Sequence, residues 1–175
     1  MERFRVLAQR AITPNHYRPS EWAYYRWPLS VFAIDVCISF TLAIALSYTE
    51  LVPEVESIGI PILSVWFIPF LLLVSTIEEL IFRIVPLTIA MSASERASVH
   101  VLTALVMGGI FGYVHGGVGN IFLQGIGGFL YGLLFIKYAA GGERFLEASL
   151  VVILIHTAFN GLLGVLLLLG GETMF

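Results

Sequence analysis

The chain has 175 residues, of which 58% are hydrophobic and 12% are charged, and its formal net charge is -3 at pH 7. Soluble domains carry about 25% charged residues, so this composition excludes an ordinary soluble domain and predicts one membrane-embedded domain. The weak net charge, without a run of basic residues, predicts no nucleic-acid partner. The single cysteine, Cys37, excludes an internal disulfide and a thiolate metal cluster.

Residues 1–28 differ from the rest of the chain because they are polar and contain five arginines beside a cluster of tryptophan and tyrosine. A cleavable signal would show a short basic segment followed by an apolar run, so none is predicted. We expect instead a cytoplasmic or interfacial N-terminal segment whose aromatic residues lie at the membrane surface. Residues 29–175 are expected to form the membrane-embedded domain.

Five apolar stretches follow this segment, and each is near or above the ~17–25 residues that a helix needs to cross a bilayer. They predict an all-α fold, a polytopic transmembrane helical bundle with about five spans. The second stretch contains Pro86, so we expect a helix that kinks and continues to about Ala90. The stretches are residues 29–49, 61–91, 97–115, 119–139 and 146–169.

Basic residues near the span ends predict the orientation of the bundle. If the five spans alternate, Arg96, Lys137 and Arg144 lie on the same side as the N-terminal arginines, and the opposite side has no Lys or Arg. The positive-inside rule then predicts a cytoplasmic N-terminus. The chain is therefore expected to be a multi-pass integral membrane protein in contact with membrane lipids.

Six polar residues interrupt the apolar stretches. An ionisable side chain at the centre of a membrane helix costs ~2.5–3.5 kcal/mol on insertion scales, so such residues are functional candidates by default. They form three patterns, Glu-Glu-x-x-x-Arg, Phe-x-x-x-His and His-x-x-x-Asn. The six residues are Glu78, Glu79, Arg83, His115, His156 and Asn160.

Counting residues from the turns places four of these side chains at a similar depth. Glu78 lies 16 residues before the turn between the second and third spans and His115 lies 21 after it, which corresponds to ~24 and ~32 Å of helix. His156 and Asn160 lie 14 and 18 residues beyond the next turn on the same side, or ~21 and ~27 Å. The four side chains are therefore expected to converge within the membrane.

The spacing within the first two patterns indicates chemical roles. Glu79 and Arg83 are four residues apart with the acid first, the favourable order for an ion pair on one helix face. Glu78 lies about 100° further round the helix and stays free to act as a general base. His115 could help to hold or deprotonate the attacking water. The ion pair is equally consistent with a purely structural role.

The third pattern places an imidazole and an amide on one helix face, because His156 and Asn160 are also four residues apart. Together they could donate hydrogen bonds to the oxyanion of a tetrahedral intermediate. The other polar residues of the spans have structural explanations. Asp35 is expected to bond a neighbouring helix, and the hydroxyls of Ser75 and Thr76 are expected to bond back to helix carbonyls.

These motifs, in this order and separation, resemble the signature of the CPBP family, which contains the CAAX proteases and the bacteriocin-processing enzymes of the abortive-infection type. The resemblance covers about residues 62–169 and implies an intramembrane glutamic-type endopeptidase with a four-helix catalytic core. Ile84 departs from the family pattern, in which a glycine is common. The matching stretches are Glu78-Glu79-Leu80-Ile81-Phe82-Arg83, Phe111-Gly112-Tyr113-Val114-His115 and His156-Thr157-Ala158-Phe159-Asn160.

The resemblance also implies a substrate and a role for each residue. Eukaryotic members of the family remove the C-terminal tripeptide from prenylated CAAX proteins, so the implied partner is a peptide or protein, with its lipidation left open. The implied roles are water activation by Glu78, assistance by His115, an oxyanion hole formed by His156 and Asn160, and support of the site by Glu79 and Arg83.

Zinc is the cofactor to consider for this set of residues. Two glutamates and two histidines can in principle bind zinc, and the ligands would then be Glu78, His115 and His156. The sequence has no His-Glu-x-x-His helix, so we expect a mechanism without a metal or other cofactor.

Two other functions stay open at this point. A non-enzymatic membrane binding or bacteriocin-immunity protein would use the polar cluster only to bind a partner, and its activity would survive the substitution Glu78→Gln. A transporter or proton relay would need a continuous polar path across the membrane, and the sequence offers no further string of polar residues to form one.

Overall fold

The computed structural model describes residues 21–46, 65–139 and 144–170, which fold into helices joined by short turns. These residues contain no β-strand, so the predicted all-α fold is confirmed. Two π-helical turns, Leu80–Ile84 and Ile121–Gly125, each join the helix before them to the helix after them. The helices are α1 (Glu21–Leu46), α2 (Phe67–Glu79), α3 (Val85–Ala93), α4 (Ala97–Val114), α5 (Val118–Asn120), α6 (Ile126–Ala139) and α7 (Phe145–Gly170).

Four helical stretches in this part of the chain are long and apolar enough to cross a membrane, in agreement with an integral membrane protein. The predicted second span is built instead from α2, the first π turn and α3, none of which reaches 18 residues alone. Joined end to end they extend about 40 Å, which also suffices to cross a bilayer. The four candidate spans are Arg26–Ala45, Ala97–Val114, Val118–Ala139 and Phe145–Leu166.

The first helix of the structure begins within the predicted interfacial segment, residues 1–28. Helix α1 starts at Glu21 and continues without interruption into the first span. Residues 1–20 lie outside the described residues, and the boundary at residue 28 and the cytoplasmic N-terminus stay predictions. The ammonium of Lys137 on α6 lies 4.3 Å from the ring centre of Trp27 on α1, a cation–π contact that ties the two helices together.

Pro86 explains the first π turn. A proline in a regular helix lacks the N–H of one hydrogen bond, and its ring clashes with the carbonyl four residues before it. Here the chain widens just before the proline, and the N–H of Val85 bonds to the carbonyl of Leu80, five residues back. The interruption is thus a π turn, and the helix continues to Ala93, slightly beyond the predicted end at Ala90.

A close contact between α4 and the start of the α6 segment holds the centre of the bundle. A Cβ atom built on Gly108 would lie 2.7 Å from the carbonyl oxygen of Gly125 and 2.8 Å from the nitrogen of Phe129. A side chain at Gly108 would therefore force the two backbones apart, so this glycine allows the close packing of the two helices. The core beside this contact is apolar and includes Leu87, Ala104, Phe135, Ile136 and Val152.

The bundle is apolar outside and polar at one place inside. Large hydrophobic side chains such as Leu105 and Leu154 stay exposed on the helix surfaces, as expected where lipid takes the place of water. By contrast, Glu79, Arg83 and His156 are 0%, 1% and 4% exposed. This buried polar cluster is the feature of the fold that needs a chemical explanation.

Candidate active site

The two consecutive glutamates lie at the end of α2, immediately before the first π turn. Glu79 is fully buried and its Oε1 accepts a hydrogen bond from Nη1 of Arg83 at 2.6 Å, which is the predicted ion pair. Glu78 points to a different side, where its side chain keeps 18% exposure. The predicted division between a paired and an accessible glutamate is therefore present in the structure.

Arg83 connects this pair to α6. It lies within the π turn and donates from Nε to the carbonyl oxygen of Gly128 at 3.3 Å. Gly128 makes room for the guanidinium, because a Cβ atom there would collide with Nη2 of Arg83. The guanidinium carbon also lies 4.0 Å from the ring centre of Phe111 on α4. Arg83 thus joins α2, α4 and α6 around the charge of Glu79.

His115 directly follows α4, and both of its ring nitrogens have partners. Nδ1 lies 2.7 Å from the carbonyl oxygen of Phe111, and Nε2 lies 3.1 Å from Oε1 of Glu78. The Phe111 ring packs against the imidazole with 4.2 Å between ring centres. The Phe-x-x-x-His motif therefore supplies both the histidine and the group that orients it. The side-chain amide of Asn120 donates to the carbonyl of His115 and fixes the turn.

His156 on α7 contacts both glutamates. Its Nδ1 lies 2.7 Å from Oε1 of Glu79, and its Nε2 lies 3.4 Å from Oε2 of Glu78. Oε1 of Glu79 therefore accepts from Arg83 and from His156 at the same time. The predicted convergence of Glu78 with both histidines is confirmed by these distances.

The partners of the two imidazoles define the protons of the cluster. A carbonyl oxygen can only accept, so we assign the hydrogen of His115 to Nδ1, and the ion-paired carboxylate of Glu79 likewise assigns the hydrogen of His156 to Nδ1. Two neutral imidazoles would then both present a lone pair to the carboxylate of Glu78, which also only accepts. The cluster therefore needs a further proton, either on an imidazole Nε2 or on the Glu78 carboxyl group.

Asn160 lies one turn beyond His156, and both residues line a small cavity inside the bundle. Its amide donates to the hydroxyl of Ser75 at 3.5 Å, the limit for a hydrogen bond, so the amide is weakly held. The cavity has a volume of about 40 Å³, enough for about one water molecule. The predicted placement of an imidazole and an amide on one face is thus observed, while their catalytic role stays a prediction.

Three further polar residues of this cavity did not stand out as functional residues in the sequence. Asp35 on α1 accepts a hydrogen bond from the hydroxyl of Tyr131 on α6 at 2.5 Å, so its predicted bond to a neighbouring helix is confirmed. Asp35, Tyr131 and Gln124 also line the cavity with His156 and Asn160. The isolated acid in an apolar span was a signal for Asp35. A tyrosine or glutamine in an apolar helix gives no comparable signal.

A zinc site needs at least three His, Cys, Asp or Glu ligands close together. Within residues 21–46, 65–139 and 144–170, no three His, Cys, Asp or Glu side chains form a group that could hold a metal ion. The nitrogens of His115 and His156 that would serve as ligands contact the oxygens of Glu78 directly, at hydrogen-bond or ion-pair distance. A mechanism without a metal stays a prediction.

The fold and the site together define a class, polytopic helical membrane proteins with a buried glutamate–histidine cluster. A family model described as Rce1-like type II CAAX prenyl endopeptidase matches residues 60–162, more than half of the chain, and this stretch contains all six residues of the three motifs. The chain belongs to this Rce1-like family, which confirms the resemblance seen in the motifs. A comparison with curated proteins and one with solved structures each give no significant match.

Proposed function

We propose that this protein is an intramembrane endopeptidase of the CAAX type, which hydrolyses a peptide bond near the membrane with a water molecule activated by Glu78. The family match supports the reaction class. The observation that carries the proposal is the position of Glu78, whose two carboxyl oxygens contact the Nε2 atoms of His115 and His156. This carboxylate is accessible and lies beside groups that can share its proton.

In the first step, Glu78 accepts a proton from water, and the oxygen of that water attacks the carbonyl carbon of the scissile bond. Nε2 of His115 contacts Oε1 of Glu78, and the His115 side chain keeps 28% exposure. The imidazole can therefore hold the water molecule between itself and the Glu78 carboxylate. Its bond to the carbonyl of Phe111 fixes the ring while Nε2 exchanges partners. General base catalysis of this kind contributes ~10²–10⁴-fold to a rate.

In the tetrahedral intermediate, negative charge collects on the former carbonyl oxygen. His156 can donate to this oxygen from Nε2 when its ring is an imidazolium, because Nδ1 already donates to Glu79. The paired carboxylate of Glu79 stabilises that imidazolium, which gives the ion pair of Glu79 with Arg83 a supporting role. The amide of Asn160 provides a second donor, and its 3.5 Å contact to Ser75 is weak enough to be exchanged for the oxyanion.

In the last step, the carbon–nitrogen bond breaks and the leaving nitrogen receives the proton that Glu78 took from water. The products are a new carboxyl terminus and a new amine, and the cluster returns to its starting protonation state. No metal or other cofactor takes part in this scheme. The substrate is a peptide or protein, and the family description indicates a prenylated CAAX sequence as the first to test.

The site lies deep in the bundle, which matters for how a substrate reaches it. His156 is within one residue of the midpoint of its candidate span, Phe145–Leu166. Water and the peptide must therefore enter from one membrane surface through the side on which Glu78 and His115 keep partial exposure.

The experiment that tests the proposal compares protein termini in membranes of cells that express the wild type or Glu78→Gln. New termini found only with the wild type support proteolysis and identify the substrate. Glu95→Gln is the matched control, because Glu95 is an exposed glutamate in the turn after α3. Identical termini in all three samples, with equal amounts of folded protein, would overturn the proposal and favour the non-enzymatic binding function.

A further inference from the structure

Asp35 is a buried carboxylate that the proposed reaction does not use. It is 1% exposed and lies within one residue of the midpoint of its candidate span, Arg26–Ala45. Helix α1 lies outside the residues matched by the family model, so the match assigns Asp35 no role. A carboxylate at this depth is unfavourable unless hydrogen bonds satisfy it, so its presence calls for a functional explanation.

One half of this carboxylate lacks a partner among the described residues. Oδ2 accepts a hydrogen bond from Tyr131, whereas Oδ1 has no hydrogen-bond partner there. Buried polar atoms without partners are rare in native proteins. A Cβ atom on Gly127 would come within 2.5 Å of Oδ1, so the missing side chain makes room for the carboxylate against α6. Oδ1 is thus held in a defined place, where the hydroxyl of Ser39, one turn along α1, interacts with the carboxylate without forming a hydrogen bond of normal geometry to Oδ1.

The cavity that Asp35 lines is also bordered by the two residues of the proposed oxyanion hole. Asp35 lines the same cavity of about 40 Å³ as His156 and Asn160. A substrate whose scissile carbonyl oxygen is bound by His156 and Asn160 brings its neighbouring backbone N–H groups into or beside this cavity, since successive Cα atoms are only about 3.8 Å apart. A backbone N–H is the donor that such a substrate brings nearest to Oδ1.

We propose that Oδ1 of Asp35 accepts a hydrogen bond from a backbone N–H of the peptide substrate next to the scissile bond. This inference rests on the proposed function, and it makes α1 a contributor to substrate binding. A hydrogen bond to a carboxylate is charge-assisted and about twice as strong as a neutral one. The bond exists before and during the reaction, so it lowers KM and leaves kcat unchanged.

Binding measurements test this inference without relying on cleavage. The protein carries Glu78→Gln, so that bound peptide is not cleaved, and is placed in lipid nanodiscs with a fluorescent prenylated CAAX peptide. Asp35→Asn in this background is expected to weaken binding about tenfold. The control is Thr41→Ala, which removes a hydroxyl of α1 that donates to the carbonyl of Cys37 in the same helix and does not line the cavity. This control is expected to bind as before.

A change in the peptide provides a second test that requires no substitution of Asp35. In a series of peptides, each N–H next to the scissile bond is replaced in turn by an ester oxygen. One ester is expected to bind about tenfold more weakly than the amide peptide, because it lacks the N–H whose hydrogen bond Oδ1 accepts. Equal binding of all esters and the amide by the protein with Asp35 would overturn the inference.

The outcomes separate this inference from the proposed function. Cleavage by the wild type, together with unchanged peptide binding by folded Asp35→Asn protein, contradicts the role of Asp35 and leaves the proposed function intact. Absence of cleavage by the wild type contradicts the proposed function, whereas the binding series still reports on Asp35. An effect of Asp35→Asn on kcat alone would also overturn the inference, because it would indicate a water or proton held by Oδ1.

Discussion

Glu78 and Glu79 are neighbours in the sequence, yet they belong to two different halves of the site. Glu79, Arg83 and Gly128 form a buried half, in which the carboxylate is fully enclosed and held by Arg83 and His156. Glu78 and His115 form an accessible half, in which both side chains keep partial exposure. A rotation of about 100° between consecutive helix residues lets one short motif supply a fixed anion and a reactive one.

This difference separates stability from activity. Removing a charge from the buried half leaves its partner buried and unpaired, so the fold should lose stability. Changing the accessible half removes a group that the proposed reaction uses, so the reaction should fail while the fold persists.

The substitution Glu78→Gln is expected to reduce the cleavage rate by ~10²–10⁴-fold, because the amide no longer accepts the proton of the attacking water. The thermal unfolding midpoint should stay close to that of the wild type. Purified protein in lipid vesicles, assayed with a prenylated CAAX peptide and followed by a thermal scan, gives both values. Glu95→Gln serves as the control, and a Glu78→Gln protein that cleaves at the control rate would contradict the role of Glu78.

The substitution Arg83→Met is expected to destabilise the folded protein by about 3–5 kcal/mol, because it leaves the buried carboxylate of Glu79 without its guanidinium. Denaturant titration in detergent micelles measures the loss. The double variant Glu79→Gln with Arg83→Met removes both charges and should lose less stability than Arg83→Met alone. Equal stability of Arg83→Met and the wild type would show that the buried half is not a structural support.

The substitution Asn160→Ala is expected to lower kcat by ~10²–10³-fold with little change in KM, because the proposed hydrogen bond from the amide strengthens when the carbonyl oxygen of the substrate becomes the oxyanion. Steady-state kinetics with the vesicle-bound protein separates the two constants. Thr157→Ala is the matched control on the same helix, since the hydroxyl of Thr157 bonds to the carbonyl of Ile153 within α7. A rise in KM at constant kcat would assign Asn160 to substrate binding instead.

Removal of divalent metals is expected to leave the cleavage rate unchanged, which is the smallest effect of the series. The test compares the rate before and after treatment of the purified protein with a strong chelator, followed by addition of zinc. Loss of activity that zinc restores would contradict the metal-free mechanism. It would then favour the alternative ligand set of Glu78, His115 and His156.

Much of the site could be predicted from the sequence because its residues lie on helices with regular spacing. The interval of four residues fixes Glu79 and Arg83 on one face, and they form the expected ion pair. The residue count from the turns was sufficient to bring Glu78 to the same depth as His115 and His156. Because helix geometry is regular, the depth of a residue in the membrane and the helix face on which it lies can be predicted from the sequence alone.

Other features depend on tertiary packing and local backbone geometry, which spacing does not encode. The contact of Asp35 with Tyr131 requires a particular rotation of α1 against α6, and α1 carries no motif to indicate it. The bond from Nδ1 of His156 to Glu79 depends on a side-chain rotamer. Pro86 predicts an interruption of its helix. The π turn before it is only one of several backbone arrangements that avoid the clash of the proline ring with the carbonyl four residues back.

Cleavage in water enriched in ¹⁸O tests whether a water molecule activated by Glu78 hydrolyses the peptide bond. The purified wild type and Glu78→Gln are incubated with the prenylated CAAX peptide, and mass spectrometry follows the new carboxyl terminus. The mechanism predicts ¹⁸O in that carboxyl group with the wild type and a loss of product with Glu78→Gln. Product without ¹⁸O, or equal labelled product from both proteins, would contradict it.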